Sequence, residues 1–258
     1  FGARMVWHHD RPPSLEPVRG GLAALDGIAP ADPQEHGMMP LVLRRYADAR
    51  QRLEAEGLSI KMVAARGPLA VAVWLIGVSE LMVSLKREPD ASHRLLNALT
   101  ETIIRWLRAQ ADAVGGVDGI LLLDDIPGML SPKMFDAMAA PYLTRIFEAF
   151  DGLVRVYHND TPSEHLLPKL AALPFEVWNF SHETDIATVQ AALPGKTLLG
   201  NVPPLRVLAQ GTPEEVYTHA RACIEKTGGR RLVLSAGGGM NAGTPTENVD
   251  ALVKAALQ

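Results

Sequence analysis

Histidines and acidic residues follow several short apolar segments of this chain, at places where buried strands would end. His8, His9, His158 and His182 are four of the eight histidines, and each has an acidic residue close by. The groups are His8-His9-Asp10, Asp124-Asp125, His158-Asn159-Asp160 and Ser181-His182-Glu183. Imidazole and carboxylate side chains hold divalent metals and exchange protons with substrates. The sequence therefore predicts a catalytic or metal-binding site built from these groups.

His158 and Asp160 form the most informative pair. Residues two apart on an extended chain project to the same side, so both side chains can reach one ion or one substrate. The alternative is that Asp160 only caps a helix that begins near Thr161. Asp124 and Asp125 end an apolar segment, and adjacent residues on a strand point to opposite faces. We therefore expect at most one of these two carboxylates to face a site, while the other caps a helix or forms a salt bridge.

Further candidates follow other apolar segments. His182 and Glu183 would orient a substrate, or lie in a solvated loop. Arg66 would hold an anionic group of the substrate. Asn201 would contact the substrate, or only join neighbouring loops. The backbone N–H groups of Gly237-Gly238-Gly239 would bind an anion, or this segment forms a tight turn.

Short apolar segments alternate with helical patterns over most of the chain. Most of these segments are continuous in Val, Leu and Ile, which is typical of parallel strands buried on both faces. The predicted strands are Ala3–Trp7, Leu58–Ala64, Gly119–Leu123, Leu153–Tyr157, Phe175–Phe180, Lys196–Leu199 and Arg231–Leu234. Helix starts with a Thr-Pro-x-Glu pattern occur at Thr161, Thr212 and Thr244, where Thr caps the helix and Glu reaches back to the cap. The alternation predicts a parallel α/β fold.

The distribution of polar residues favours a barrel over an open sheet. An open sheet usually carries a Gly-x-Gly-x-x-Gly turn after its first strand, and this chain has none there. In a barrel, functional residues gather at the carboxyl ends of the strands, which is where the candidates fall. We predict a (β/α)₈ TIM barrel in which residues 1–258 form a single domain.

Composition argues against several classes of protein. The 47% hydrophobic and 21% charged residues are ordinary for a globular protein, so disorder is not expected. The 25 basic and 29 acidic residues give a net charge of −4, which argues against nucleic-acid binding. The lone Cys223 excludes an internal disulfide. The longest apolar run, Pro68–Gly77, is half the roughly 20 residues that span a bilayer. Arg4, His8 and His9 interrupt the start of the chain and no hydrophobic segment follows them, so we expect no signal peptide and a cytoplasmic protein.

Several motifs follow one another in a recognisable order between residues 67 and 248. They are Gly67-Pro68-Leu69-Ala70-Val71-Ala72, Asp118-Gly119-Ile120-Leu121-Leu122-Leu123-Asp124-Asp125, Leu130-Ser131-Pro132-Lys133-Met134-Phe135, Pro141-Tyr142-Leu143, Gly200-Asn201-Val202-Pro203-Pro204, Gly211-Thr212-Pro213-Glu214-Glu215-Val216 and Ser235-Ala236-Gly237-Gly238-Gly239 with Thr244-Pro245-Thr246-Glu247-Asn248. Their order and spacing resemble the uroporphyrinogen decarboxylase (URO-D) superfamily. That superfamily includes decarboxylases of haem synthesis and zinc-dependent, corrinoid-linked methyltransferases.

The resemblance implies a fold, and it implies partners. It implies a (β/α)₈ barrel, and because only seven strands are predicted here, it implies a first strand–helix unit before Phe1. Family decarboxylases pair as homodimers, and the methyltransferases contact a separate corrinoid protein. A small-molecule substrate is expected in either case, with neither a nucleic acid nor a membrane as partner.

The methyltransferases of this superfamily bind zinc through a His-x-Cys motif and a Cys in the glycine-rich turn. His158 matches the histidine, whereas Asp160 and Gly238 stand where the cysteines would be. The resemblance therefore implies nitrogen and oxygen ligands from His158 and Asp160, joined by Asp124, His182 or Glu183. Such a set suits zinc or a harder divalent ion.

The leading hypothesis is methyl transfer from a small O-, N- or S-methylated molecule to a corrinoid or another acceptor. His158 and Asp160 would bind a metal or polarise the leaving heteroatom, and Asp124 or Asp125 would protonate that heteroatom. A second hypothesis is a cofactor-free decarboxylase, with Arg66 holding a carboxylate, although a tetrapyrrole rich in carboxylates needs several basic contacts. A third is a non-catalytic binding or partner subunit, and a fourth is a metal-assisted hydrolase or lyase.

Overall fold

Strands alternate with helices along the computed structural model, which describes residues 1–257. The strands are β1 (Arg4–Val6), β2 (Ser14–Glu16), β3 (Met62–Arg66), β4 (Gly119–Leu123), β5 (Val154–Asn159), β6 (Val177–Phe180), β7 (Thr197–Val202) and β8 (Leu232–Ala236). The α-helices are α1 (Met39–Ala55), α2 (Pro68–Ile76), α3 (Val78–Arg87), α4 (Pro89–Ala113), α5 (Pro132–Met138), α6 (Ala140–Glu148), α7 (Leu167–Ala171), α8 (Ile186–Ala192), α9 (Pro213–Thr227) and α10 (Thr246–Leu257). Short 3₁₀ segments occupy Gly21–Leu25, Ile126–Met129 and Glu164–Leu166, and a π-helical turn occupies Pro204–Ala209.

The residues form two compact units. The first contains Phe1–Asp124 with Ala137–Leu153, and the second contains Asp125–Asp136 with the chain from Val154 onward. In the first unit, β3 and β4 are parallel, with Met62 opposite Gly119 and Arg66 opposite Leu123. The long helix α4 packs against β3 and buries its apolar face, including Leu96, Leu99 and Leu107.

The N-terminal segment differs from the prediction. β1 pairs with β2 in an antiparallel hairpin, with Arg4 opposite Glu16. The prediction that Ala3–Trp7 is a strand of the parallel sheet is therefore wrong. The run is short and half-exposed, and a turn follows it directly, so local antiparallel pairing satisfies its backbone groups without a long crossover connection.

The second unit holds four parallel strands in the order β5-β6-β7-β8. Their register places His158 opposite Asn179, Asn179 opposite Leu199 and Asn201 opposite Ser235. Helices follow the strands, so the predicted parallel α/β fold is confirmed. Each of the six apolar segments predicted as parallel strands after residue 57 overlaps an observed strand, with ends shifted by a few residues.

The helix starts follow the prediction at some sites and not at others. Thr212 and Glu215 form the predicted capping box of α9. The helix predicted to start at Thr161 begins later, with a 3₁₀ turn at Glu164–Leu166 followed by α7. The Thr161 hydroxyl donates to the backbone carbonyl of Asp125 at 2.9 Å, and no side chain caps the 3₁₀ turn.

No single helix of residues 1–257 has both the length and the apolar composition that a bilayer span requires. Helices α2 and α3 meet these requirements only when they are taken together, across a bend of 111°.

Candidate metal centre

Three polar side chains of the second unit converge beyond the ends of β4 and β5. Asp125 follows β4, His158 lies near the end of β5, and Asp160 follows β5. The His158 Nε2 atom lies 3.5 Å from Asp125 Oδ1 and 3.8 Å from Asp160 Oδ2. All three potential ligand atoms lie within 4.8 Å of one another. Ligands about 2.1 Å from one ion lie roughly 3–4 Å apart; the two separations from His158 Nε2 fall in that range, and the group could hold a divalent cation.

The three side chains are neither sealed in the core nor fully solvated. The exposed fractions are 15% for His158, 31% for Asp125 and 40% for Asp160. This gradient places the imidazole at the base of the group and the carboxylates nearer solvent. A ligand that arrives from solvent can therefore reach the carboxylates, while packing holds the imidazole in place.

Asn179 on β6 is a member of the site that sequence reasoning missed. Its Oδ1 atom lies 2.6 Å from His158 Nδ1. Its Nδ2 group donates to the backbone carbonyls of Leu199 at 2.7 Å and Ala236 at 3.1 Å. The residue is buried and sits inside a segment that was predicted only as an apolar strand. An amide in the middle of a buried strand was the signal that could have identified it, because buried polar groups need partners.

Hydrogen bonds connect the loops that follow β4 and β5. The Asp160 N–H group donates to Asp125 Oδ1 at 3.3 Å, in addition to the Thr161–Asp125 contact described above. Gly128 allows the two loops to approach, since a Cβ atom there would lie 2.7 Å from Ser163 Oγ and 2.8 Å from Thr161 Cβ. The positions of Asp125 and Asp160 are therefore set jointly by main-chain contacts of both loops.

Asp124 has a different environment, in the first unit. Its carboxylate accepts hydrogen bonds from the backbone N–H groups of Leu69 at 3.0 Å and Ala70 at 2.9 Å, and the residue is fully buried. These are N–H groups of the first turn of α2, which have no partner within that helix. Gly67 is needed at this helix start, because a Cβ atom there would overlap the Asp124 carboxylate. Asp124 thus caps a helix, and Asp125 is the carboxylate that lies with His158.

Arg66, His8 and His9 lie in the first unit. The Arg66 guanidinium stacks over the Trp74 ring, 5.4 Å from its centre, beside a mostly apolar cavity of about 320 Å³. His8 Nε2 lies 2.9 Å from Ser14 Oγ in the exposed hairpin. A carboxylate of a substrate would find a cationic group at Arg66, and its substrate-binding role stays a prediction.

His182, Asn201 and Cys223 line a second cavity, of about 200 Å³, in the second unit. The Asn201 Nδ2 group donates to the Thr184 carbonyl at 2.9 Å, and its Oδ1 atom lies 3.6 Å from Cys223 Sγ. These contacts join neighbouring loops, which was the alternative role given to Asn201, and its role in substrate binding stays a prediction. Burial raises the pKa of the Cys223 thiol, which disfavours the reactive thiolate. Glu183 is exposed, and neither it nor His182 belongs to the three-residue group among residues 1–257.

The glycine-rich turn after β8 packs against the same site. The Gly237 N–H group donates to the Val202 carbonyl at 2.9 Å, and a Cβ atom at 237 would lie 2.7 Å from the His182 backbone nitrogen. Gly238 has φ +122°, and a Cβ atom there would lie 2.6 Å from Asp160 Oδ2. At Gly238 the turn therefore lies directly against the Asp160 carboxylate, in a space that a side chain would fill.

Replacing Gly238 by alanine is expected to displace the Asp160 carboxylate. The added methyl group would collide with Oδ2, and alanine is strained at this φ value. We expect affinity for Zn²⁺ to fall about 10- to 100-fold, the range seen when the support of a ligand is lost. Chelator competition measures the affinity, and Gly239→Ala is the control, because nothing lies within 4 Å of a Cβ atom there. Equal affinities of the two variants would contradict this account of the turn.

The sequence profile of the uroporphyrinogen decarboxylase (URO-D) family matches residues 1–258. The chain belongs to this family. The resemblance drawn from the motifs is thereby confirmed. Curated URO-D relatives include uroporphyrinogen decarboxylases of Synechococcus sp. (strain CC9605), 31% identical over 93% of this chain and 68% of that protein, and of Parasynechococcus marenigrum (strain WH8102), 30% identical over 90% and 66%. The chain thus spans about two thirds of the length of these relatives.

Two solved structures resemble the chain. A methyltransferase from Methanosarcina mazei has a TM-score of 0.84 and 26% sequence identity, covering 99% of this chain and 75% of that one. A B12-independent methionine synthase from Shewanella sp. W3-18-1 in complex with selenomethionine has a TM-score of 0.66 and 14% identity, covering 99% and 73%. The second likeness concerns the fold alone. This chain therefore shares its α/β fold with a methyltransferase of known structure.

Proposed function

We propose that this URO-D family chain catalyses metal-assisted methyl transfer from a small O-, N- or S-methylated molecule to a corrinoid or another nucleophilic acceptor. The observation that carries the proposal is the convergence of His158 Nε2 with carboxylate oxygens of Asp125 and Asp160 within 4.8 Å. The likeness to a methyltransferase at 26% identity supports the same class of reaction.

The donor atoms suit a divalent cation. One imidazole nitrogen and two carboxylate oxygens match zinc or a harder ion, whereas a site built for copper(I) or another soft ion would carry thiolates. His158, Asp160 and Asp125 would hold the ion. When bound, a divalent ion supplies a Lewis acid that polarises the bond between the heteroatom and the methyl group.

The bond changes of the transfer define the roles of the remaining side chains. In the transfer, the bond between heteroatom and methyl breaks, the acceptor supplies the electron pair of the new bond, and the heteroatom keeps the old pair. Asp125 would be ionised as a ligand of the ion, so it would not also serve as the acid, and the proton for the heteroatom would come from solvent, which reaches this partly exposed group. Asp124 is committed to its helix cap. Roles in substrate binding for Arg66, His182, Glu183, Asn201, Gly237 and Gly238 remain part of the proposal.

Metal content and methyl transfer test the proposal together. The purified full chain is analysed for bound metal, and is then incubated with Zn²⁺, cob(I)alamin and a panel of methylated alcohols, amines and thiols. We expect about one ion per chain and formation of methylcobalamin, followed by its absorbance. Absence of both metal binding and methyl transfer would overturn the proposal, and would favour a binding or partner subunit.

Decarboxylation is the second candidate, because curated relatives at 30–31% identity are uroporphyrinogen decarboxylases. In that reaction Arg66 would hold a substrate carboxylate, and an acidic side chain would stabilise the protonated ring. Incubation with uroporphyrinogen and chromatography of the products separates the two candidates. Loss of substrate carboxylates without added metal would select decarboxylation.

A further inference from the structure

We infer that Asn179 is a positioning residue that holds the proton of His158 on Nδ1 and aims the Nε2 lone pair at the space between Asp125 and Asp160. The inference rests on the proposed function only in taking this space as the metal site. The placement of the proton follows from the hydrogen bonds of Asn179 alone, and it can be measured without any metal.

The first step concerns the orientation of the Asn179 amide. Its Nδ2 group lies 2.7 Å from the Leu199 carbonyl and 3.1 Å from the Ala236 carbonyl. Carbonyl oxygens accept hydrogen bonds and cannot donate them. A flipped amide would bring its oxygen against both carbonyls and lose two hydrogen bonds in a buried place. The Oδ1 atom must therefore be the one that faces His158.

The second step concerns the imidazole. Asn179 Oδ1 lies 2.6 Å from His158 Nδ1, and an amide oxygen is only an acceptor. Nδ1 must therefore carry a hydrogen. In a neutral imidazole the other nitrogen is then unprotonated, so Nε2 presents a lone pair. That atom is the one 3.5 Å from Asp125 and 3.8 Å from Asp160.

The third step concerns rigidity. Asn179 is 4% exposed and lies in β6, with β5 on one side and β7 on the other. The register places His158 and Leu199 directly opposite it, so its partners belong to the neighbouring strands. The arrangement is thus built into the parallel sheet, and does not depend on a mobile loop.

The consequence is that loss of the Asn179 oxygen frees His158 to populate both tautomers and to rotate. A metal ligand that loses such an outer partner commonly binds about 10- to 100-fold more weakly. Loss of the amide nitrogen alone removes the donor of the Leu199 and Ala236 carbonyls. It leaves the acceptor for His158 in place. The two halves of one side chain therefore have separable effects.

Two variants separate these effects. Asn179→Ala removes both halves, whereas Asn179→Asp keeps an oxygen for His158 and loses the N–H donors. We expect ¹⁵N NMR of the metal-free wild type, at a pH at which the His158 ring is neutral, to show the proton on Nδ1, with His158→Gln assigning the signal. We expect a mixture of tautomers and about 10- to 100-fold lower Zn²⁺ affinity in Asn179→Ala. In Asn179→Asp we expect His158 to keep the wild-type tautomer, and the free energy of unfolding to be lower than in the wild type.

The outcomes of this experiment are distinct. A wild-type protein with the proton on Nε2 would overturn the inference, as would an Asn179→Ala variant with unchanged tautomer and affinity. If Asn179→Ala does not fold, Asn179→Ser and Asn179→Asp provide the same comparison, since serine keeps a short polar group without reaching His158. Protonation on Nδ1 in a wild type that binds no Zn²⁺ would support the positioning role while contradicting the metal-dependent function.

Discussion

His158→Ala is expected to reduce Zn²⁺ affinity by at least about 100-fold. This is a larger loss than the one expected when only the hydrogen-bond partner of a metal ligand is removed. The substitution removes the nitrogen donor from the group and leaves two carboxylates that are 31% and 40% exposed. Two solvated carboxylates bind divalent ions weakly, because they also compete with water for the ion. Methyl transfer should fall with metal occupancy. Chelator competition and the methylcobalamin assay measure the two effects.

A matched control separates loss of the site from loss of any histidine. His36 lies in an exposed loop of the first unit, where its Nδ1 atom accepts from the Asp32 N–H group. His36→Ala should retain full Zn²⁺ affinity. Asp160→Asn should resemble His158→Ala in direction, since it removes one ligand charge. Wild-type affinity in His158→Ala would show that the ion binds elsewhere.

The neighbouring carboxylates Asp124 and Asp125 are expected to give opposite results when each is changed to asparagine. Asp124→Asn places an NH₂ group or a weaker acceptor against the Leu69 and Ala70 N–H groups. Loss of such a buried cap costs about 1–3 kcal/mol in the free energy of unfolding, which lowers Tm by several degrees in a chain of this size. Affinity for Zn²⁺ should not change.

Asp125→Asn should show the reverse pattern. Its side chain is partly exposed, so the change should alter the free energy of unfolding by less than about 1 kcal/mol. Zn²⁺ affinity should fall at least about 10-fold, because a charged ligand of the group is lost. Thermal denaturation and metal titration of both variants test this division. Equal losses of affinity in the two variants would refute it.

Much of the fold could be predicted because local patterns determine it. Continuous apolar runs marked the strands from β3 to β8, and Thr212 with Glu215 marked a helix start. The error at β1 arose because a short apolar run does not reveal its pairing partner, and pairing with Ser14–Glu16 was available nearby. Thr161 was misread because its hydroxyl bonds to a residue 36 positions away.

The candidate site was predictable only in part. The two-residue spacing indicated that His158 and Asp160 project together, and their atoms lie 3.8 Å apart. Alternation also indicated that Asp124 and Asp125 would differ, but it could not say which one caps a helix. That choice depends on where the start of α2 lies. The contribution of Asn179 depends on strand register, which emerges only when β5, β6 and β7 are aligned.

The absence of sulfur among the three donor atoms affects how the group responds to oxidation. Thiolate ligands are oxidised in steps by air and peroxide, and the later products are irreversible. His158, Asp125 and Asp160 contain no sulfur, so an ion held by them would not be released by that chemistry. The single thiol, Cys223, is 7% exposed and stands outside the group. Retention of such an ion would therefore not depend on a system that keeps thiols reduced.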